Sequence, residues 1–282
     1  MSRLDSDRLA ELRQIATRVR IHVLKTVHHA QGGHIGGPLS ATELLTCLYF
    51  EILNIDPARP NWQDRDRFVL SKGHAAIALY AVLAERGYFP LEELSTFDAI
   101  DSRLQGHPDM TKTPGVDMST GSLGQGLSPA IGMAMGAKRL GQTFRTYVMI
   151  GDGESQEGQI WEAAFIAQRY HLDNLVGILD YNKIQQYGWN RPPALPPIDS
   201  PAAKFQAFGW HTIEIDGHEF QAIVDACDEA RHIKNVPTMI VAHTIKGKGV
   251  SFMENTYQWH AQVPSDQDLA RALMELTGQG QA

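Results

Sequence analysis

The chain contains only two cysteines in 282 residues, Cys47 and Cys227, and they make neither a CxxC pair nor a disulfide framework. A reduced, cytoplasmic setting is the expectation, with both thiols serving as small buried apolar groups. Long hydrophobic runs are also missing. None approaches the ~18 residues of a membrane span, and the N-terminus, MSRLDSDRLAELR, has no apolar segment of the signal-peptide kind. Positive charge is scarce, because a net charge of −7 leaves no basic face for nucleic acid. Membrane and nucleic-acid partners are therefore not expected. GxxxxGKS/T is absent, GDGESQEG lacks the last glycine of a GxGxxG fingerprint, and no spacing of Cys and His matches a zinc template. There is no repeat, low-complexity tract or domain-splitting linker.

What remains is an ordinary globular composition, 43% hydrophobic and 20% charged, with enough chain for a sizeable core. A single domain over residues 1–282 is expected, with its core at about 8–264 and a tail over 265–282. From Leu9 the positions Leu12, Ala16, Val19, Val23 and Val27 recur at helical spacing. That helix stops at QGGHIGGPLS, after which Pro38, Ser40 and Glu43 read as a first-turn proline and a capping box. Leu44, Leu45, Leu48 and Ile52 form the buried face of the helix that follows. TYVMI (146–150), NLVGILD (174–180), HTIEI (211–215) and TMIVAHTI (238–245) are short apolar strands between helical stretches. The fold class is therefore α/β, one mostly parallel sheet with helices on both faces. The proline-rich 189–201 reads as an ordered surface loop, and the tail as a short helix followed by a fraying Gly/Gln end.

Strand 146–150 ends at Gly151-Asp152-Gly153, where a parallel sheet binds ligands. The flanking glycines admit a close ligand, but a lone carboxylate repels phosphate unless a cation stands between. Mg²⁺ suits that role, since it takes oxygen ligands and shares them with a diphosphate. Strand 174–180 leads to Asn182, and a right-handed β-α-β crossover would set Asp152 and Asn182 side by side. A tight turn with aspartate as a cap explains GDG alone equally well. The spaced asparagine tips the balance toward a metal.

Of the twelve histidines, four lie in loops with glycine, proline or aromatic neighbours: His34 in GGHIGG, His74 in SKGHAA, His107 in QGHPDM and His260 in QWHAQ. Singly, each is best read as a solvated or capping residue. Together they suggest a pocket that holds a polyhydroxylated substrate and moves its hydroxyl protons. The other histidines, His218 among them, sit in elements or ordinary turns. In DMSTGSLGQGLSPAIGMAMGAKRLG (117–141), Gly132 and Gly136 suggest a helix packed closely on a neighbour, and Gly121 to Gly126 a loop whose amides face a ligand.

GGHIGG, SKGHA, QGHPD, GVDMSTGSLGQGLSPAIGMA, GDGESQEGQIWEA, LDYNKI, FGWH and KGKGVSFMEN followed by WH occur in the order found in the first half of transketolases. Over roughly residues 8 to 264 the chain resembles the N-terminal subunit of a split transketolase, a thiamine diphosphate enzyme. The resemblance implies the thiamine diphosphate-binding fold, with Mg²⁺ held by the side chains of Asp152 and Asn182 and the carbonyl of Ile184. His74, Gly153 and His260 would approach the diphosphate, and Gly121 and Leu123 would line the cofactor rings. Ser122 departs from the proline often found between those two. Glu157 would lie near the subunit contact; His34, His74, His107 and His260 would surround the reacting carbon; Gln186, Lys72 and Lys246 would complete the site.

The implied reaction is transfer of a two-carbon ketol unit from a ketose or ketose phosphate to an aldose. By the same likeness, the activating glutamate and most groups that bind the sugar phosphate belong to a second domain. A separate C-terminal subunit is thus expected, in an assembly with two copies of each chain. Two rival readings are a 2-oxo acid dehydrogenase component or deoxyxylulose phosphate synthase, which also place GDG and an asparagine on consecutive strands, and a non-catalytic cofactor-binding module. The histidine set favours transketolase over both.

Overall fold

The computed structural model describes residues 4–186 and 197–278. The loop expected over 189–201 falls mostly outside the described residues, and the end of the tail, 279–282, wholly so. Five strands, β1 (Arg67–Leu70), β2 (Thr146–Gly151), β3 (Leu175–Tyr181), β4 (His211–Asp216) and β5 (Thr238–His243), form one sheet in the order β1-β2-β3-β5-β4. Every neighbouring pair is parallel.

The central strands are apolar throughout because both of their faces are covered. Tyr147, Met149, Val176, Ile178, Ile240 and Ala242 point into one core cluster. That side is built from α1 (Ser6–Ala30), α2 (Gly36–Ser40), α3 (Thr42–Cys47), α4 (Ala76–Arg86) and α8 (Phe220–His232). Val148, Ile150, Leu175, Leu179, Met239 and Val241 point the other way, onto α5 (Leu127–Arg139), α6 (Gly158–Arg169) and α7 (Pro201–Ala207). The four strands and the helix-covered parallel sheet expected from the sequence are all present.

Strand β1 was not expected. RFVL is too short to show a period, and it is placed by a neighbour: the Asp66 carboxylate accepts from Asn54 N at 2.9 Å and Arg145 N at 2.7 Å, clipping the start of β1 to β2. Helix α1 buries Leu12, Ala16, Val19, Val23 and Val27 as its spacing requires, starts at an Asp5 cap and ends at Gln31 with φ of 51°. The capping box at Ser40 does not form. Pro38 lies inside the five-residue α2, and the Ser40 hydroxyl donates instead to Gly37 O at 3.0 Å and Asp180 Oδ2 at 2.7 Å. A buried carboxylate at a strand end is a stronger acceptor for that hydroxyl than any arrangement at a helix start. The tail forms α9 (Asp266–Thr277), and there a capping box between Ser265 and Asp268 is present. Among the described residues no helix is long and apolar enough to cross a membrane.

The expected close packing of Gly132 and Gly136 is absent within this chain: a Cβ at either position would meet nothing within 4 Å. Gly73, just past β1, is the opposite case. Its Cβ would lie 2.7 Å from Gly121 N and 2.9 Å from Thr120 C, backbone atoms that have no way to swing aside. Gly73→Ala should therefore cost about 1–3 kcal/mol in urea unfolding. Gly132→Ala, in an open helical position, should gain up to ~1 kcal/mol; the reverse ordering would refute this account of the two glycines.

Candidate active site

The sheet order rises to β3 and falls from β5 to β4, so the chain reverses direction between β3 and β5. Ligands of open α/β sheets bind at such a point, beyond the carboxyl ends of the strands. A cavity of about 520 Å³ opens there. Gly151 pairs with Asp180 in the β2–β3 register, which carries Asp152 and Asn182 out of the sheet on adjoining strands. Asp152 Oδ1 accepts from Gly153 N at 2.8 Å, and its Oδ2 accepts from the N–H of Lys183, the residue after Asn182. Asn182 Oδ1 accepts from Ile184 N at 3.1 Å, a turn closed with Lys183 at φ of 67°. Both side chains, with Ile184, line the same cavity.

Beneath them lies a buried ion pair. Lys72 Nζ donates to Asp180 Oδ2, and both side chains are almost wholly buried. Asp180 also accepts from the hydroxyls of Ser40 and Thr244, and Lys72 donates to Gly37 O at 3.2 Å. Burial opposes ionisation of Asp180, but Lys72 and the two hydroxyls override it and hold the carboxyl below its usual range. Among the described residues Asp152 has no such cation bonded to it. Burial, with the Asp180 charge nearby, pushes its carboxyl up to about 6.

The four loop histidines converge. His34 lies 5.2 Å from His74, 5.0 Å from His260 and 6.4 Å from His107 between ring centroids, and His74 lies 5.3 Å from His260. Burial, then His107 and two lysines, brings His34 down to about 4; burial, then Lys246, brings His260 down to about 3. Burial and Lys72 take His74 well below the ordinary value. These three are neutral imidazoles at pH 7, able both to donate and to accept. Lys246, which burial and Lys72 lower to about 8, donates to His260 Nδ1 at 2.8 Å and to Ile184 O at 2.9 Å. An ammonium has only donors, so the His260 proton sits on Nε2.

The remaining expected residues, Gly121, Leu123, Gly153, Glu157, Gln186 and Lys72, line the cavity too. So do Glu154 and Gln185, which the sequence did not single out. Glu154 is buried and accepts from Ser71 Oγ, from Gly124 N at 2.9 Å and from Gly151 N at 3.0 Å. It thereby ties the glycine loop 121–126 to the end of β2. A glutamate three residues past a strand carries no sequence mark of that role, because its partners come from two distant loops.

Asp152, Asn182 and Ile184 offer a carboxylate, an amide and a carbonyl oxygen, a hard donor set that suits Mg²⁺. Among the described residues no basic side chain bonds Asp152, whose buried carboxyl accepts from backbone N–H groups alone. No group of three or more His, Cys, Asp or Glu side chains placed to hold a metal ion occurs among the described residues. These three oxygen donors fit a hard dication.

Fold and site together define an α/β cofactor-binding domain. Residues 12–279 match the family described as transketolase, thiamine diphosphate binding domain. The chain is 44% identical over 275 residues to the 6-deoxy-6-sulfo-D-fructose transketolase subunit SqwG of Clostridium sp. (strain MSTE9), covering 98% of this chain and 99% of that one. It is 40% identical over 258 residues to one of the subunits of the apulose-4-phosphate transketolase of Phocaeicola vulgatus, covering 92% and 91%. The solved transketolase from Leishmania mexicana superimposes with a TM-score of 0.89 at 31% identity, over 94% of this chain but 41% of that one. The chain belongs to the transketolase family, as its thiamine diphosphate-binding part.

The raised carboxyl of Asp152 makes a signed prediction. The folded chain holds that proton more tightly than the unfolded one, so the contribution favours folding below 3.8 and is lost as pH rises through about 6. Denaturation of the metal-free wild type and of Asp152→Asn should diverge accordingly. Between about pH 4 and pH 7 the variant should gain on the wild type by roughly 2 kcal/mol. A difference that stays constant across that range would show that Asp152 is not the strained anion described.

Proposed function

We propose that this chain is the thiamine diphosphate- and Mg²⁺-holding subunit of a transketolase made from two kinds of chain, which moves a two-carbon ketol unit from a ketose to an aldose. The observation that carries this reading is the ring of neutral imidazoles above the oxygen donors at the ends of β2 and β3. Asp152, Asn182 and the Ile184 carbonyl would hold the metal, with His74, Gly153 and His260 near the diphosphate and Gly121 and Leu123 along the rings. When bound, thiamine diphosphate supplies the electron sink that lets a bond beside a carbonyl break.

The work of this chain is proton handling and placement. His260, with its proton on Nε2 and Lys246 at Nδ1, presents a donor to the cavity, while His34, His74 and His107 stand close enough to relay hydroxyl protons. Neutrality matters, because a protonated imidazole has no lone pair to accept a hydroxyl proton. The buried floor made by Lys72 and Asp180 keeps these groups in fixed positions.

A partner chain is supported by the relatives matched almost end to end, which are themselves named as subunits. The proposed assembly has two copies of each chain, the second bringing the activating carboxylate and the sugar-phosphate contacts. Two buried free cysteines agree with a reduced, cytoplasmic setting. The dehydrogenase and synthase readings lose ground to the family match and to the histidine set.

The purified chain should bind thiamine diphosphate in Mg²⁺ by calorimetry, and show ketol transfer only after a pyrimidine-binding transketolase half is added. His34→Ala in that mixture should lower kcat by about 10²-fold or more with cofactor affinity nearly unchanged. Full turnover by the chain alone would end the two-chain reading, and an unaffected kcat would end the role given to the imidazoles.

A further inference from the structure

Behind the wall that carries Lys246, three charged or titratable side chains form a closed network. Glu43 on α3 is buried and accepts from Arg20 of α1 at 2.7 Å and from His218 Nδ1 at 2.9 Å. His218 belongs to the turn between β4 and α8, and its side chain is 11% exposed. Its other ring nitrogen, Nε2, accepts from the Ile245 N–H at 2.9 Å. An amide N–H only donates, so Nε2 is bare and the proton sits on Nδ1, facing the carboxylate. Arg20 in turn donates through Nε to Lys248 O at 2.9 Å.

The network thus grips the main chain at residues 245 and 248, on both sides of Lys246. Two further contacts hold the segment. Gly247 N donates to Gly36 O at 3.0 Å, and a Cβ on Gly249 would lie 2.9 Å from Arg20 Cδ. Lys246 reaches two acceptors from one flexible stem, His260 Nδ1 and the Ile184 carbonyl. Where its Cα sits therefore bears on whether both can be met together.

We propose that His218 is a positioning residue: backed by Glu43 and Arg20, it fixes the 245–248 main chain so that Lys246 meets His260 and the Ile184 carbonyl together. Its importance for cofactor binding rests on the function proposed above, whereas the geometric part does not. Two variants separate its bonds. His218→Gln keeps an acceptor near the Nε2 position, while His218→Asn keeps a donor near Nδ1 and leaves the Ile245 N–H without a partner.

Amide hydrogen exchange of the purified chain, read on peptides covering 244–250, and titration with thiamine diphosphate in Mg²⁺ test both variants. Exchange in that segment should quicken about tenfold, and the cofactor dissociation constant rise about tenfold, in His218→Asn. His218→Gln should stay close to wild type in both. Equal losses in the two variants, or no change in His218→Asn, overturn the inference. A check that needs no variant is the ¹⁵N shift pattern of His218 in the wild type: a proton on Nδ1 supports it and a proton on Nε2 overturns it. If the wild type fails to bind thiamine diphosphate, the proposed function fails, and the exchange and tautomer measurements still decide the role of His218.

Discussion

The Lys72–Asp180 ion pair is the constraint on which the rest of the site depends. It joins the end of β1 to the end of β3, and through Ser40, Thr244 and the Gly37 carbonyl it also holds α2 and the end of β5. Four segments distant in sequence are thereby fixed at one point under the cavity. Buried ion pairs are a poor source of net stability, since desolvation offsets much of the attraction, but losing one partner strands a charge in the interior. This pair is better understood as specifying geometry. It leaves the neighbouring carboxylate, Asp152, facing a like charge, and Lys72, whose ammonium is engaged by Asp180, offsets that only in part.

That consequence explains the division of charge in the pocket. One carboxylate is held by a cation and two hydroxyls, while the other is buried, raised in pKa, bonded to backbone N–H groups alone and part of the cavity wall with Asn182 and Ile184. A dication would relieve Asp152 and bring with it an affinity for diphosphate oxygens that an acidic corner lacks. The two lysines act on the histidines in a related way. Their positive charge, added to burial, keeps His34, His74 and His260 in the neutral form. The site thus holds its proton carriers neutral with cations that also serve as structural donors.

Much of this was legible in the sequence because it is local. GDG at the end of an apolar run, an asparagine one crossover later, and histidines between glycines are signals contained within a few residues each. The helix-covered parallel sheet was legible for the same reason, since β2, β3 and β5 are continuous apolar runs with both faces buried. What escaped notice depends on partners far away in the chain. Ser40 resembled a helix cap until Asp180, 140 residues distant, took its hydroxyl. Glu154 carried no mark and His218 read as a histidine of an element or ordinary turn, yet each is defined by donors or acceptors from other loops. Gly132 and Gly136 misled in the opposite direction, because a four-residue spacing shows which side of a helix they share and not whether anything within the chain lies against it.

The glycine loops are often taken to supply freedom of movement, but here they supply closeness. A Cβ at Gly36 would lie 2.8 Å from Trp259 O, one at Gly121 2.7 Å from a carbon of the His107 ring, and one at Gly126 2.4 Å from Ser71 Oγ. Each glycine lets one loop seat directly on another, so histidine-bearing segments become parts of one packed body. Such packing suits the chemistry proposed for this site, in which neutral groups exchange protons with a substrate. Proton transfer of the kind proposed fails when donor and acceptor separate by an ångström, whereas a purely electrostatic site would tolerate the same drift far better. The glycines around His34, His74 and His107 thus replace side-chain packing with backbone contact where side chains would hold the loops apart.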